Sequence, residues 1–499
     1  MILYRSTRGS ENKKTGAQAI IAGISEDKGL YVPEDIPVLP FAMEEGLGKS
    51  YQEVAQGILH AFFQDYTEDE IKHCVEGAYD EKFESHEIVP VVSAAGAHFL
   101  ELYHGKTAAF KDMALSILPY LLTTAMEKEG EKRKICILVA TSGDTGKAAL
   151  EGFADVPGTE IIIFYPNEGV SLVQERQMVT QEGKNTHVFS IRGNFDDAQT
   201  GVKKIFNDSA FAEELERINV KLSSANSINI GRLVPQVAYY VYGYLKLVSR
   251  GVIKVGEPVN VVVPTGNFGN ILAAYYASKM GIPVNKFICA SNKNRVLTDF
   301  ITTGEYDIRR DFYVTNSPSM DILISSNLER LLFHLAEGDG NIIKELMTSL
   351  EKEKHYCVPN AIREGLKDFY GGFCTVEETN ETIGRVYNED HYLMDTHTAV
   401  AYKVYEDYKR ETGDTTPTLI ASTASSYKFA DSVAKAIGLE EEKDEFAYID
   451  KIAEITGIPV PKGLQDLKDK EILHDAVLGV GEMKTAVKSL TSFCNKSTY

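Results

Sequence analysis

The chain has 499 residues, 43% of them hydrophobic and 25% charged, an ordinary globular composition long enough for two or three domains. Its 52 basic against 72 acidic residues leave a formal charge of −20, a field that repels nucleic acid and anionic membrane, so an anionic ligand must be caught by a local cluster of donors. No apolar run approaches a membrane span, residues 1–10 lack a signal-peptide hydrophobic segment, and six scattered cysteines without a CxxC pair read as reduced thiols of a cytoplasmic protein, not as a disulfide or zinc framework.

Residues 1–90 read as a small, mostly helical lead-in without clustered chemistry, in which Thr67 and Glu70 form a capping box ahead of an amphipathic run. An apolar run, Phe99 to Tyr103, then leads into His104-Gly105-Lys106-Thr107-Ala108-Ala109-Phe110-Lys111-Asp112. A helix is expected from about Lys111, with Met113, Ala114, Ile117, Leu118, Leu121, Leu122 and Ala125 on its inward face. A lysine in a first helical turn opposes the helix dipole, and one deprived of water beside other cations loses its proton easily, which suits an amine that forms a Schiff base. A lysine snorkelling at a helix end fits the same stretch. Asp112 is expected to satisfy helix-start amides and not to act as a base.

Beyond about residue 95, β-rich runs alternate with helical ones. Strands are predicted at Ile135–Ala140, Glu160–Tyr165, His187–Ile191, Val259–Val263, Lys286–Ala290 and Thr418–Ala421, and helices at Lys147–Phe153, Asp197–Asn207, Ile271–Met280 and Lys428–Ile437. Continuous apolar strands and strand–helix alternation predict an α/β fold: two open, mostly parallel sheets covered by helices, with a ligand cleft at the strands' carboxyl ends. The expected units are 1–90, then a large one from 91–134 with 236–499, and a smaller mobile one over 135–235.

Four loops have the composition of ligand sites. Thr141-Ser142-Gly143-Asp144-Thr145-Gly146 follows a strand, but its spacing is not that of a nucleotide phosphate loop, and a plain turn fits as well. Thr265-Gly266-Asn267-Phe268-Gly269-Asn270 opens a helix, so convergent N–H groups and the helix amino end favour a single phosphate; the dinucleotide spacing is absent. Ser224 to Arg232 is dense in amide and hydroxyl donors and ends in an arginine, suited to phosphate or carboxylate, or to capping the next helix. Ser422-Thr423-Ala424-Ser425-Ser426 offers hydroxyls for a ligand or for a helix cap.

Taken in order, H-G-K-T-A-A-F-K-D (104–112), T-S-G-D-T-G (141–146), S-A-N-S-I-N-I-G-R (224–232), P-T-G-N-F-G-N (264–270), D-T-H-T-A-V-A (395–401) and S-T-A-S-S-Y-K-F (422–429) resemble threonine synthases of the longer bacterial and fungal type, in the tryptophan-synthase-β-like group of pyridoxal-phosphate enzymes (fold type II). Gly29-Leu30-Tyr31-Val32-Pro33 extends the resemblance into the lead-in. It implies pyridoxal 5'-phosphate as cofactor and no catalytic metal. Lys111 is then the Schiff-base lysine and proton shuttle, Gly266, Asn267, Phe268, Gly269 and Asn270 cradle the cofactor phosphate, and Thr423 meets the pyridine nitrogen. Asp144 stands where relatives carry asparagine near the cofactor's phenolic oxygen, and two anions there would repel. Ser142, Thr145, Asn226, Ser227 and Arg232, with Asn267, match positions that hold the substrate's carboxylate and phosphate. Ser425-Ser426 replaces the His-Pro of some members, a change expected to touch loop packing more than chemistry.

The implied reaction takes O-phospho-L-homoserine and water to L-threonine and phosphate by γ-elimination and β-hydration, the last step of threonine biosynthesis, in a cytoplasmic monomer or weak homodimer with no nucleic-acid or membrane partner. A phospho-lyase yielding 2-oxobutyrate shares every motif, and a non-catalytic anion-binding protein on the same fold is the alternative from another class.

Overall fold

The computed structural model describes residues 1–141, 143–167 and 170–493. Its larger sheet has six strands in the order Phe369–Phe373, Val284–Ser291, Val259–Pro264, Thr418–Ser422, Ala97–Glu101 and Val91–Ala94. All neighbours run parallel except the last pair, which forms a hairpin. Ala95 and Gly96 make its two-residue turn with φ of 48° and 70°, the doubly left-handed geometry that matches strand twist. Every residue of Val259–Pro264 and Thr418–Ser422 is buried, as continuous apolar strands covered on both faces must be.

The smaller sheet is wholly parallel, in the order Val477–Leu478, Thr186–Ile191, Thr159–Pro166, Lys134–Ala140 and Val220–Ser223. All six predicted central strands are present, each within two residues of its expected limits. Residues 477–493, expected within the large unit, lie instead on the small one. Val477–Leu478 pairs with Thr186–Ile191, and Met483 and Val487 of the terminal helix enter the apolar cluster of Ala198, Val202, Ile205 and Phe211.

The helix expected from Lys111 is broken. Asp112–Leu115 is one short helix and Leu118–Glu129 a second, with Pro119 in the first turn of the latter, where a missing N–H costs nothing. The seven residues of its expected inward face are all buried regardless. Likewise Lys428–Ile437 resolves into a 3₁₀ turn, Ser426–Phe429, and a helix, Ala430–Ala436, which places Lys428 inside the tight turn.

The lead-in contains a short antiparallel ribbon, Tyr4–Ser6 with Tyr31–Pro33, and helices Gly16–Ala22, Met43–Gly46, Tyr51–Phe62 and Glu68–Ala78. Thr67 Oγ1 accepts from Glu70 N at 3.2 Å, and Glu70 Oε2 accepts from Thr67 N at 2.7 Å, completing the expected capping box. The lead-in does more than pack. Arg8 grips Glu329 through two bonds of 2.9 and 2.8 Å, and the Tyr31 carbonyl accepts from Arg330 Nε at 2.9 Å.

Among the described residues no helix is long and apolar enough to cross a membrane. Cys74, Cys136, Cys289, Cys357 and Cys374 are unbridged, and Cys494 lies outside the described residues.

Candidate active site

Five loops at the carboxyl ends of strands build the site: 102–111 after Ala97–Glu101, the segment of Thr141 and Gly143 after Lys134–Ala140, 224–229 after Val220–Ser223, 265–268 after Val259–Pro264, and 423–425 after Thr418–Ser422. The first and last are zipped together. Thr423 O accepts from Phe110 N at 2.8 Å, Ala108 O accepts from Ser425 N at 3.0 Å, and Ser422 O accepts from Leu102 N at 2.9 Å. Backbone pairing immediately ahead of Lys111 therefore fixes where its side chain starts, with Thr423 against its chain neighbour Phe110.

Lys111 is 8% exposed and immediately precedes the short helix Asp112–Leu115. Its Nζ donates to Ser319 Oγ at 3.2 Å, lies 3.8 Å from Asp144 Oδ2, and sits 5.0 Å from the centroid of the Phe110 ring. Burial, with Arg232 and Lys428 as cationic neighbours, outweighs the Asp144 carboxylate and brings the amine down to about 8. Burial and its cationic neighbours, not a helix dipole, ready the amine to lose its proton, since the helix it precedes is a single turn.

Asp144 opens helix Asp144–Phe153, and the anion is not left alone. Its Oδ1 lies 2.7 Å from Lys428 Nζ and accepts from Gln174 Nε2 at 2.8 Å, so its carboxyl is held well below the usual range despite full burial. Lys428 has a fully buried side chain whose ammonium also donates to Thr107 O and Gln177 Oε1, both at 2.9 Å; its three protons are thereby matched. Lys428, which carries no separate role in the sequence reading, supplies the positive charge that offsets the Asp144 carboxylate.

Asp112 does not bond helix-start amides. Its carboxylate turns back to Thr107, accepting from the backbone N at 2.8 Å and from Oγ1 at 2.7 Å, and burial pushes it up to about 6. It braces the loop that carries Lys111.

The 265–270 loop has the geometry of a phosphate cradle. A Cβ on Gly266 would lie 2.3 Å from Ser319 O, so only glycine lets the two segments meet. Phe268 takes a left-handed φ of 63° and turns the chain into helix Gly269–Met280, whose first N–H groups have no partner inside the helix. Asn270 is buried. Its Oδ1 accepts from the hydroxyls of Tyr239 and Tyr240, which directs Nδ2 away from them, and that Nδ2 has no protein partner. An orphaned buried amide beside glycine-opened helix amides fits a phosphate monoester. Asn267 is exposed at the rim, near Ser326.

Across the site, Arg232 is 5% exposed and donates through NH1 to Ala225 O at 2.8 Å. Among the described residues it makes no ion pair, and burial lowers the guanidinium to about 10. Asn226 and Ser227 are half-buried in the same loop. Ser227 Oγ accepts from Asn327 Nδ2 at 3.0 Å, and the same amide reaches Asn267 O at 3.0 Å, so one side chain ties the donor loop to the cradle. Fully buried Arg330 supports both, bonding Asn327 Oδ1 and the carbonyls of Ser227, Ile228 and Tyr31.

Thr145 is half-buried one residue beyond Asp144, and Ser142 lies outside the described residues. Thr141 Oγ1 accepts from Gly143 N at 3.0 Å and Gly146 N at 2.9 Å, which makes that loop a turn closed by its own hydroxyl. Ser425 Oγ caps the following 3₁₀ turn through Tyr427 N at 3.4 Å.

Sequence reasoning missed Ser319, Asn327, Arg330 and the separate role of Lys428. Ser319 is held by a chain of contacts: its N donates to His397 Nε2 at 3.1 Å, which assigns the His397 proton to Nδ1, bonded to Asp395 Oδ2 at 2.8 Å. The D-T-H motif was visible; that it steadies a loop on Lys111 was not.

Residues 98–423 match the family described as "Pyridoxal-phosphate dependent enzyme", residues 3–79 "Threonine synthase N terminus" and residues 398–477 "Threonine synthase, C-terminal". Threonine synthase-like 1 of Homo sapiens is 44% identical over 438 residues, 85% of this chain; the chain spans only 58% of that relative's length. Threonine synthase of Saccharomyces cerevisiae is 37% identical over 466 residues, covering 87% of this chain and 89% of the other. The crystal structure of PLP-bound threonine synthase from Brucella melitensis superposes with a TM-score of 0.86 at 36% identity, covering 99% of each chain. The chain belongs to the threonine synthase family of pyridoxal-phosphate-dependent enzymes, and pyridoxal phosphate is its cofactor.

Proposed function

We propose that the chain converts O-phospho-L-homoserine and water to L-threonine and phosphate. The observation that carries this reading is Arg232: a buried cation without an acidic partner among the described residues, close enough to Lys111 to lower its proton affinity. A buried guanidinium unpaired by protein is costly unless an anion joins it, and a substrate phosphate supplies that anion. Arg232 and Lys428, with Lys111 when protonated, stand against Asp144 and Asp112, which gives a chain of charge −20 a local cluster of buried cations to meet an anionic substrate.

Gly266 to Asn270 would hold the cofactor phosphate, with Thr423 at the ring nitrogen and Asp144 near the phenolic oxygen. Pyridoxal phosphate, when bound, supplies an electron sink for the carbanions of the reaction. Lys111 Nζ takes the substrate's Cα proton; a Cβ proton is lost before phosphate leaves Cγ, Lys111 returns a proton to Cγ, and addition of water at Cβ is completed by a proton at Cα. Its lowered proton affinity leaves about half of it neutral near pH 8, whereas an ordinary lysine is almost wholly charged there. Arg232, with Asn226 and Ser227, retains the departing phosphate beside the carbon that water attacks, Cβ. Asp144, clamped by Lys428, keeps a fixed negative charge next to the amine, so that the amine's protonated form is stabilised when it carries a proton between carbons.

The 135–235 unit is proposed to move against the large one on substrate binding. Closure would exclude bulk water.

Given O-phosphohomoserine, the reconstituted enzyme is expected to release threonine and phosphate one to one; 2-oxobutyrate as the main product would make it a phospho-lyase. Arg232→Met is expected to lower kcat/KM by on the order of 10²–10³-fold, equivalent to about 3–4 kcal/mol for a buried charge contact, with the cofactor's absorbance retained. An unchanged kcat/KM would remove the phosphate-holding role.

A further inference from the structure

Outside the residues just described, the short ribbon Glu305–Asp307 with His355–Cys357 carries a separate constellation. Its antiparallel register sets Glu305 opposite Cys357, Tyr306 opposite Tyr356 and Asp307 opposite His355. Alternation along a strand divides these residues between two faces. Tyr306 and Tyr356 point inward, buried and stacked with centroids 5.2 Å apart at 7°, and they anchor the ribbon to the core. Glu305, His355 and Cys357 share the other face.

We propose that Glu305, His355 and Cys357 form a binding site for one soft divalent cation, with Zn²⁺ the best match. Cys357 Sγ stands 3.7 Å from Glu305 Oε1 and 3.7 Å from His355 Nε2, and the three ligand atoms all lie within 4.8 Å of one another. A tetrahedral zinc ion with bonds of about 2.3 Å to sulfur and about 2.0–2.1 Å to nitrogen or oxygen separates those atoms by about 3.6 Å. Each contact alone is a weak thiol hydrogen bond; together they centre the sulfur between nitrogen and oxygen at the spacing of one coordination edge.

Thiolate, imidazole and carboxylate in one set favour zinc over calcium or magnesium, which take oxygen ligands. Three protein ligands leave a fourth position for water. Asp307 is not that fourth ligand: Arg309 engages both its oxygens at 2.8 Å. Glu305 and Cys357 are exposed and His355 half-buried, which leaves an entry path, and the ligands sit on paired strands that hold them in place. Binding releases the Cys357 thiol proton to solvent as the Zn–S bond forms. The sequence pattern is a His-x-Cys with its glutamate some fifty residues earlier, which no zinc-framework spacing captures.

The test uses the reduced, chelator-treated holoenzyme, titrated with Zn²⁺ against a chromophoric competitor, with zinc-edge X-ray absorption of the loaded protein. One ion per chain is expected, with one sulfur and otherwise nitrogen and oxygen in its shell. Cys357→Ser and His355→Ala are each expected to weaken binding at least about 100-fold, while Cys74→Ser, at a thiol buried against Thr124, leaves it unchanged. Wild-type affinity retained in Cys357→Ser, a shell without sulfur, or no stoichiometric binding would overturn the proposal. Thermal unfolding of each variant, matching wild type without zinc, separates loss of the site from loss of the fold.

Discussion

Lys111→Ala is expected to lose turnover by at least about 10³-fold while the protein stays folded. The amine is the one group at this site whose proton affinity is tuned to about 8, and alanine leaves neither nucleophile nor proton carrier. The fold survives because Asp144 keeps its contacts with Lys428 and Gln174. Borohydride reduction is expected to fix the cofactor to Lys111 in wild type and to leave the variant unlabelled; a labelled, active Lys111→Ala protein would sink the assignment. Stability carries a second signature. In the cofactor-free protein the folded amine gives up its proton at about 8, whereas the unfolded lysine keeps it to about 10.4. Between those values the unfolded chain binds more protons, so stability rises with pH through that window. Denaturant unfolding at pH 7.5 and 10 is expected to show this rise in wild type and a smaller one in Lys111→Ala.

Lys428→Met is the second large effect, and it falls on stability and chemistry together. Removing one partner of a buried pair leaves Asp144 with Gln174 and the more distant Lys111, a loss of about 3–5 kcal/mol. The carboxylate then acts on Lys111 without a competing cation, and a neighbour that lowers the amine's proton affinity is gone. The pH midpoint for cofactor capture is therefore expected to rise. Asp144→Asn in the Lys428→Met background should recover most of the lost stability, because it removes the stranded charge. Losses that simply add in the double variant, measured by urea unfolding, would show that the two residues do not act as a pair.

The large features of this fold were legible because each follows from a local pattern. Apolar strands such as Val259–Pro264 announce a covered parallel sheet, and three donor-rich loops were readable because each follows a predicted strand; Ser224 to Arg232 was readable from composition alone, its four-residue strand Val220–Ser223 having gone unpredicted. Local pattern fails where partners come from distant segments. Lys428 looks like any lysine in a helical run until the 3₁₀ turn directs it to Asp144 and Thr107. Ser319 lies in an aperiodic segment whose position depends on His397 and on the close approach at Gly266. The break after Leu115 was written in Pro119 but masked by an apolar face that continues through it. The two-residue strand Val477–Leu478 is too short to carry any periodicity, so its place on the small sheet could not be read. Asp112 looked like a helix-start acid, yet buried Thr107 offers it two donors at once.

The reaction itself is tested most directly by running the reconstituted enzyme on O-phosphohomoserine in ¹⁸O-labelled water and analysing both products by mass spectrometry. Water added at Cβ with departure of phosphate from Cγ places one ¹⁸O in the threonine hydroxyl and none in the phosphate. Label in the phosphate with homoserine as the organic product, or 2-oxobutyrate in place of threonine, would contradict it.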